Sequence, residues 1–263
     1  MAGLTRCFFF MGLIKKPKEI EQMRVAGKIL AGVLARLIGE SREGVSLLAL
    51  DQLAQELTVK QGGESSFLGY RPEGAARPYP KTICASLNNV IVHGVPTSRK
   101  LKNGDLLKLD LGVKFNGYHA DAALTLAIGK VTPDAQKLLE VTRAALNAAI
   151  SAARAGGRLH DIGFAVESVA RSSGFSVATG LTGHGIGRRL HESPSVPNEG
   201  KSGTGMVLRP GMVLALEPML NIGTAEIRQL ADESYGTADG QLSAHFEHTI
   251  LITRGDAEIL TSL

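Results

Sequence analysis

With 263 residues, 44% of them hydrophobic and 21% charged, the chain is long enough for one large domain or two fused halves and too apolar for intrinsic disorder. The formal net charge is +4 but the basic residues are scattered, which is weak evidence for nucleic-acid binding. Cys7 and Cys84 make neither a disulfide framework nor a C-x-x-C zinc site, which fits a reducing cytoplasm and leaves any metal to nitrogen and oxygen ligands.

In chain order, the first feature is an apolar stretch of eight residues from Cys7 to Ile14, bounded by Arg6 and Lys15. It is too short to span a membrane and lacks a small-residue cleavage site, so residues 1–12 read as an N-terminal extension and 13–263 as a single domain. Met11 is a second candidate start. Apolar residues at helical spacing predict a helix from Pro17 to Ile38 and another from Leu47 to Gln61, stopped by Gly62 and Gly63. Phe67 to Pro80 carries loop chemistry. Extended segments are expected at Thr82–Ser86, Val90–Val92, Leu106–Phe115 and Tyr118–Ile128. The plan then repeats: a helix from Pro133, a break at Gly156 and Gly157, a helix over Leu159–Ser172, and strands at Val207, Val213–Glu217 and His245–Thr253. Laying Glu43–Gly63 over Ala155–Phe175 aligns Leu50 with Ile162 and Leu57 with Val169, an offset of 112 residues. Two related halves with a site at their seam is one reading, and a chance likeness of amphipathic helices is the other.

Five segments carry chemistry. Asn116-Gly117 between two apolar runs is a type I′ hairpin signal. If Phe115 pairs with Tyr118, then Asp121 lies opposite Gly112, and Asp110 points to the same face. Gly112 leaves space between two acids that need a cation among Leu, Val and Ala neighbours. His184 and His191 stand seven residues apart in HGIGRRLH, an odd spacing, so they converge only if the chain turns at its glycines. Glu217 and Glu247 each sit in a β-rich apolar run. Glu247 shares its strand face with His245 and Thr249. His93 ends an apolar strand before Gly94. His119, His160, His245 and His248 are assigned to structural or surface positions. Four carboxylates and one imidazole (Asp110, Asp121, His184, Glu217, Glu247) form a hard anionic cup suited to two divalent ions.

In the identity, order and spacing of these five residues and of the H-G-I-G-x-x-x-H segment, the chain from Leu13 to about Ser262 resembles the type I methionine aminopeptidases. The resemblance implies an α/β (α+β) pita-bread fold: two pseudo-symmetric halves with a curved, mainly antiparallel sheet covered by helices. It also implies that Asp110 chelates one metal, that His184 and Glu217 serve the other, and that Asp121 and Glu247 bridge the pair. Glu217 would aid proton transfer, and His93 and His191 would contact substrate and tetrahedral intermediate. Tyr79, Cys84, His93, Leu190, His191 and Tyr235 would enclose the substrate methionine. Val92 replaces a Cys common in bacterial members, Leu190 an aromatic and Tyr235 a Trp, and the Tyr70–Tyr79 loop is longer than in compact members.

The function so implied is a cytoplasmic, metal-dependent aminopeptidase. It would remove the initiator methionine from nascent chains with a small second residue, by attack of a metal-bridged hydroxide. The metals would be two of Mn, Fe, Co or Zn. Nascent polypeptide N-termini are the expected partners, with transient ribosome docking, no membrane, no specific nucleic acid and a monomeric state. The rivals are an X-Pro aminopeptidase or dipeptidase on the same fold, whose members usually carry an extra N-terminal domain, and a non-catalytic pita-bread binding protein.

Overall fold

The computed structural model describes residues 12–71, 74 and 76–262, so the apolar start from Cys7 to Met11 lies outside the described residues. Four α-helices are present among them. Helix α1 (Pro17–Glu40) opens on a proline, and the Glu19 carboxylate accepts the Lys16 amide at 2.8 Å. It buries Met23, Leu30, Val33 and Leu37 at heptad-like spacing. Helix α2 (Leu47–Lys60) is capped by Ser46 and α3 (Pro133–Ala152) by Thr132, each hydroxyl accepting an amide three residues on.

Helix α4 (Leu159–Ser172) has the same length as α2 and starts 112 residues later, the offset read from the apolar columns. Leu50 and Ile162 are both buried at equivalent positions. Gly62 and Gly174 follow the two helices with φ of +79° and +81°, and the short strands Glu64–Ser65 and Ser176–Val177 come next. The internal repeat is therefore structural, with α1 and α2 covering one apolar core and α3 and α4 the other.

All strand pairs are antiparallel. Leu106–Phe115 is flanked by Tyr118–Ala127 on one side and by Cys84–Leu87 and Glu64–Ser65 on the other. A five-stranded sheet runs Glu258–Ile259, His248–Leu251, Val213–Leu216, Thr182–Gly185, Glu192–Pro197. Smaller sheets join Met219–Asn221 to Ser243–His245 and Val90–Val92 to Tyr235–Thr237. The strand expected over His245–Thr253 is thus two strands, Ser243–His245 and His248–Leu251, in different sheets. Val213–Leu216 and Met219–Asn221 divide in the same way. The chain changes sheet at Glu217-Pro218 and at Phe246-Glu247, which puts both glutamates at crossing points.

The space beside Gly112 is filled rather than empty: a Cβ there would stand 2.7 Å from Ser66 Cβ and 2.8 Å from Phe67 Cε1. Overpacking of this kind costs about 1–3 kcal/mol. Gly112→Ala is expected to lower the unfolding free energy by that amount in urea titration. An unchanged midpoint would mean the Ser66–Phe67 turn yields freely.

Candidate active site

Asn116 and Gly117 take φ of +48° and +81°, as a type I′ turn requires, and Phe115 pairs with Tyr118. Gly112 lies opposite Asp121, so Asp110 and Asp121 share the inward face, both buried. Thr249 fixes Asp121 through its backbone: the Thr249 hydroxyl accepts the Asp121 amide at 2.9 Å and donates to the Asp121 carbonyl at 2.8 Å. No described residue hydrogen-bonds Oδ1 of either aspartate.

His184 and His191 do converge, with ring centroids 4.4 Å apart. A register shift at His184-Gly185 turns the chain. Glycine is required there because a Cβ on Gly185 would meet the Ser193 carbonyl oxygen at 2.1 Å. His184 Nδ1 lies 2.9 Å from the Gly185 carbonyl oxygen and so carries the proton, leaving Nε2 bare. That nitrogen stands 3.6 Å from Glu217 Oε1 and 4.0 Å from Asp121 Oδ2. The crossing points are pinned by main-chain bonds: the Glu247 amide donates to the Ala123 carbonyl at 2.8 Å, and Asn198 Nδ2 to the Glu217 carbonyl at 3.0 Å.

Two groups of donor atoms result, each within 4.8 Å: Asp121, His184 and Glu247 in one, and Glu217, His245 and Glu247 in the other. Glu247 belongs to both. Of the structural or surface role expected for His245, the surface alternative falls, because it is 1% exposed, with Nε2 3.6 Å from Glu217 Oε2. The sequence put it on one strand face with Glu247, whereas the strand ends at His245 and Glu247 lies at the crossing to the next sheet.

Burial pushes the carboxyls of Asp110, Glu217 and Glu247 well above the usual range, and their neighbours' charges add to it; burial raises Asp121 to about 7. Burial also holds His184 and His245 neutral, each near a pKa of about 3, which is the form that ligates metal. Lys108, buried two residues before Asp110 with Nζ 2.7 Å from the Asn88 carbonyl oxygen, is lowered to about 7 for the same reason. Four crowded carboxylates, three of them (Asp110, Asp121 and Glu247) with an orphaned oxygen, beside two imidazoles with a free Nε2, fit divalent cations by donor chemistry.

The cluster floors a cleft of about 1110 Å³ whose walls include Tyr79, Cys84, Val92, His93, Leu190, His191 and Tyr235. His93 has φ of +63° at the end of its strand and its ring centroid is 6.0 Å from that of Tyr235. Cys84 sits in register with Asp110. The Tyr79 hydroxyl lies against the carbonyls of Ile83 and Gly94, which belong to neighbouring segments of one wall. Tyr70, which the sequence marked only as loop, holds His191 Nδ1 at 2.6 Å through its hydroxyl.

Two related halves of antiparallel strands, closing on a buried cluster of carboxylates and imidazoles beneath an open cleft, are the frame of a metallopeptidase. A sequence model of metallopeptidase family M24 matches residues 21–254. Methionine aminopeptidase 1 of Bacillus subtilis is 42% identical over 252 residues, 95% of this chain and 99% of the relative. The crystal structure of methionine aminopeptidase from Thermotoga maritima is 40% identical with a TM-score of 0.91, covering 95% of this chain and 99% of that one. Prolidase from Pyrococcus furiosus, 22% identical with a TM-score of 0.78, shares the fold but this chain covers only 68% of it. The chain belongs to metallopeptidase family M24, on its methionine aminopeptidase branch, and has the pita-bread fold.

Proposed function

We propose that this chain is a metal-dependent aminopeptidase that removes the initiator methionine from nascent proteins when the second residue is small. The observation that carries this reading is the end-to-end match to methionine aminopeptidases, together with five N and O donors gathered at the floor of one cleft. Asp110, Asp121, His184, Glu217 and Glu247 would hold two divalent ions, with Mn, Fe, Co and Zn all acceptable to these donors. Bound there, such ions acidify water and polarise the scissile carbonyl.

The chain's own residues do the rest. Tyr79, Cys84, Leu190 and Tyr235 form the pocket wall around a flexible, polarizable thioether. Val92, Leu190 and Tyr235 shape its width. His93 and His191 stand over the cluster from two sides of the cleft and are placed to donate to charge that develops on the carbonyl oxygen. Tyr70 orients His191. Glu217 is positioned to carry a proton to the leaving amine. The cytoplasm is the proposed compartment, a monomer the proposed state, and nascent N-termini the partners. Among the described residues no helix is long and apolar enough to cross a membrane. Weak ribosome docking would use the +4 charge and should vanish from co-sedimentation as salt rises.

The test is release of free methionine from Met-Ala-Ser, alongside release of the first residue from Ala-Pro-Ala, by metal-stripped protein reloaded with each ion. Cleavage of the first peptide alone, lost in Asp110→Ala, supports the reading. Turnover of the proline peptide alone moves the chain to the X-Pro enzymes, and stoichiometric metal binding without turnover makes it a binding protein. Within this reading, His93→Ala should lower kcat/KM by about 10²–10³. Metal stoichiometry should stay unchanged by calorimetry, and a parallel loss of metal would mean that His93 holds the cluster together instead.

A further inference from the structure

His245 lies outside the set of ligands proposed above, yet it is the most conspicuous unpaired group at the cluster. Both of its ring nitrogens are buried and without hydrogen-bond partners among the described residues. Its backbone is held rigidly from both directions: the His245 amide donates to Thr125 Oγ1 at 2.9 Å and Thr125 Oγ1 donates to the His245 carbonyl at 2.7 Å. Pairing of His245 with Met219 places the ring on the Glu217 side of the cluster. From there Nε2 stands 3.6 Å from Glu217 Oε2 and 4.0 Å from Glu247 Oε2.

These separations are too long for hydrogen bonds. They are the separations of donors that share an ion, since two ligands each about 2.0–2.2 Å from one metal stand at most about 4.4 Å apart. His184 has the same relation to Asp121 and Glu217, at 4.0 and 3.6 Å. Glu247 reaches both groups.

We propose that His245 is a sixth metal-ligating side chain, a second imidazole that reaches the centre beside Glu217 and Glu247 as His184 does beside Asp121 and Glu217. The assignment rests on the metal-centre reading above and deepens it. A second imidazole makes the centre less purely carboxylate and shifts it toward Zn, Fe and Co and away from Mn.

The experiment is X-ray absorption spectroscopy on the full chain loaded with two equivalents of Zn, counting imidazole back-scattering, beside His245→Gln and His184→Gln. Thermal melting confirms that the variants fold. The expected result is about one imidazole per ion in the unchanged protein, halved in each variant. In competition calorimetry His245→Gln should lower the preference for Zn over Mn by about tenfold or more. Two Zn bound with the imidazole count untouched by His245→Gln would overturn this assignment and leave the metal centre standing, with His245 as a structural neighbour of Glu217. Failure of the unchanged protein to bind Zn, Mn or Co at all would overturn the metal-centre reading itself. If neither variant folds, the unchanged protein still decides: an average of half an imidazole per ion contradicts the proposal.

Discussion

Glu247→Gln is expected to raise the stability of the metal-free protein at pH 8 while reducing methionine release by at least ~10³-fold. The two effects have one origin. Glu247 is 2% exposed, its Oε1 has no hydrogen-bond partner among the described residues, and it faces Asp121, Glu217 and Asp110. Without a cation, a buried like charge is a destabilising element, and an amide of the same shape removes it. With a cation the sign reverses, because Glu247 alone belongs to both donor groups. Losing it removes several kcal/mol of electrostatic stabilisation of the transition state, and each 1.36 kcal/mol is about tenfold in rate. Saturating metal, at about a thousand times its Kd, should stabilise the unchanged protein by about 4 kcal/mol and the variant far less. Paired melting curves with and without Zn, plus the peptide assay, read all three quantities. A variant that melts lower than the parent without metal yet keeps the full metal-induced shift would contradict the account.

Metal-free protein is expected to lose stability as pH rises above 7, at roughly 1–3 kcal/mol per pH unit, and metal-loaded protein is not. Asp110, Glu217 and Glu247 have folded pKa values raised well above those of the unfolded chain, and Asp121 is raised to about 7. Their contribution is complete below pH 4 and is lost as pH climbs through the folded values, because the native state holds the extra protons. Histidines act in the opposite sense: His184 and His245, near 3 when folded, destabilise only as pH falls below about 6.5. From pH 4 to 6.5 the four carboxyls are offset by these two histidines together with His93 and His119, both lowered by burial to about 4. Above 7 the histidines are spent, and Lys108, lowered to about 7, offsets one of the three remaining carboxyls. About two net protons remain, each about 1.4 kcal/mol per pH unit at most. Bound metal replaces those protons, so its affinity rises with pH and the slope disappears. Urea titrations at pH 7, 8 and 9 in chelator and in Zn check this, and a flat metal-free profile would show that the carboxyls are already ionised at pH 7.

Where the signal was local, the sequence was legible in detail. Asn116-Gly117 determines a turn type, the turn determines a register, and the register places Asp110 and Asp121 on one face. Each step needs only neighbouring residues. The α2–α4 repeat was legible because both helices bury the same apolar columns, Leu50 and Ile162 among them. Division of the last long strand was not, since no Gly, Pro or Asn marks a break between His245 and Ile252 while the chain passes from one sheet to another. Only tertiary pairing, with Met219 on one side of the break and Leu216 on the other, marks it. The nearness of His245 to Glu217 was hidden for the same reason: the two are distant in the chain and meet only at the crossing between sheets. Gly112 could be recognised as special, but not that Ser66 and Phe67 fill the place beside it.

The Glu247 amide is bonded to the Ala123 carbonyl, so the last acid of the cluster is delivered to a hairpin that was synthesised long before it. While the chain is still being made, Asp110 and Asp121 can pair as a ribbon before His184, Glu217 and Glu247 have been added. A half-built protein therefore has a hairpin but no chelator. Metal capture becomes a late event, coupled to the arrival of the final strands, and a polypeptide truncated before His248 would be left with its acids exposed to water instead of an enclosed cluster.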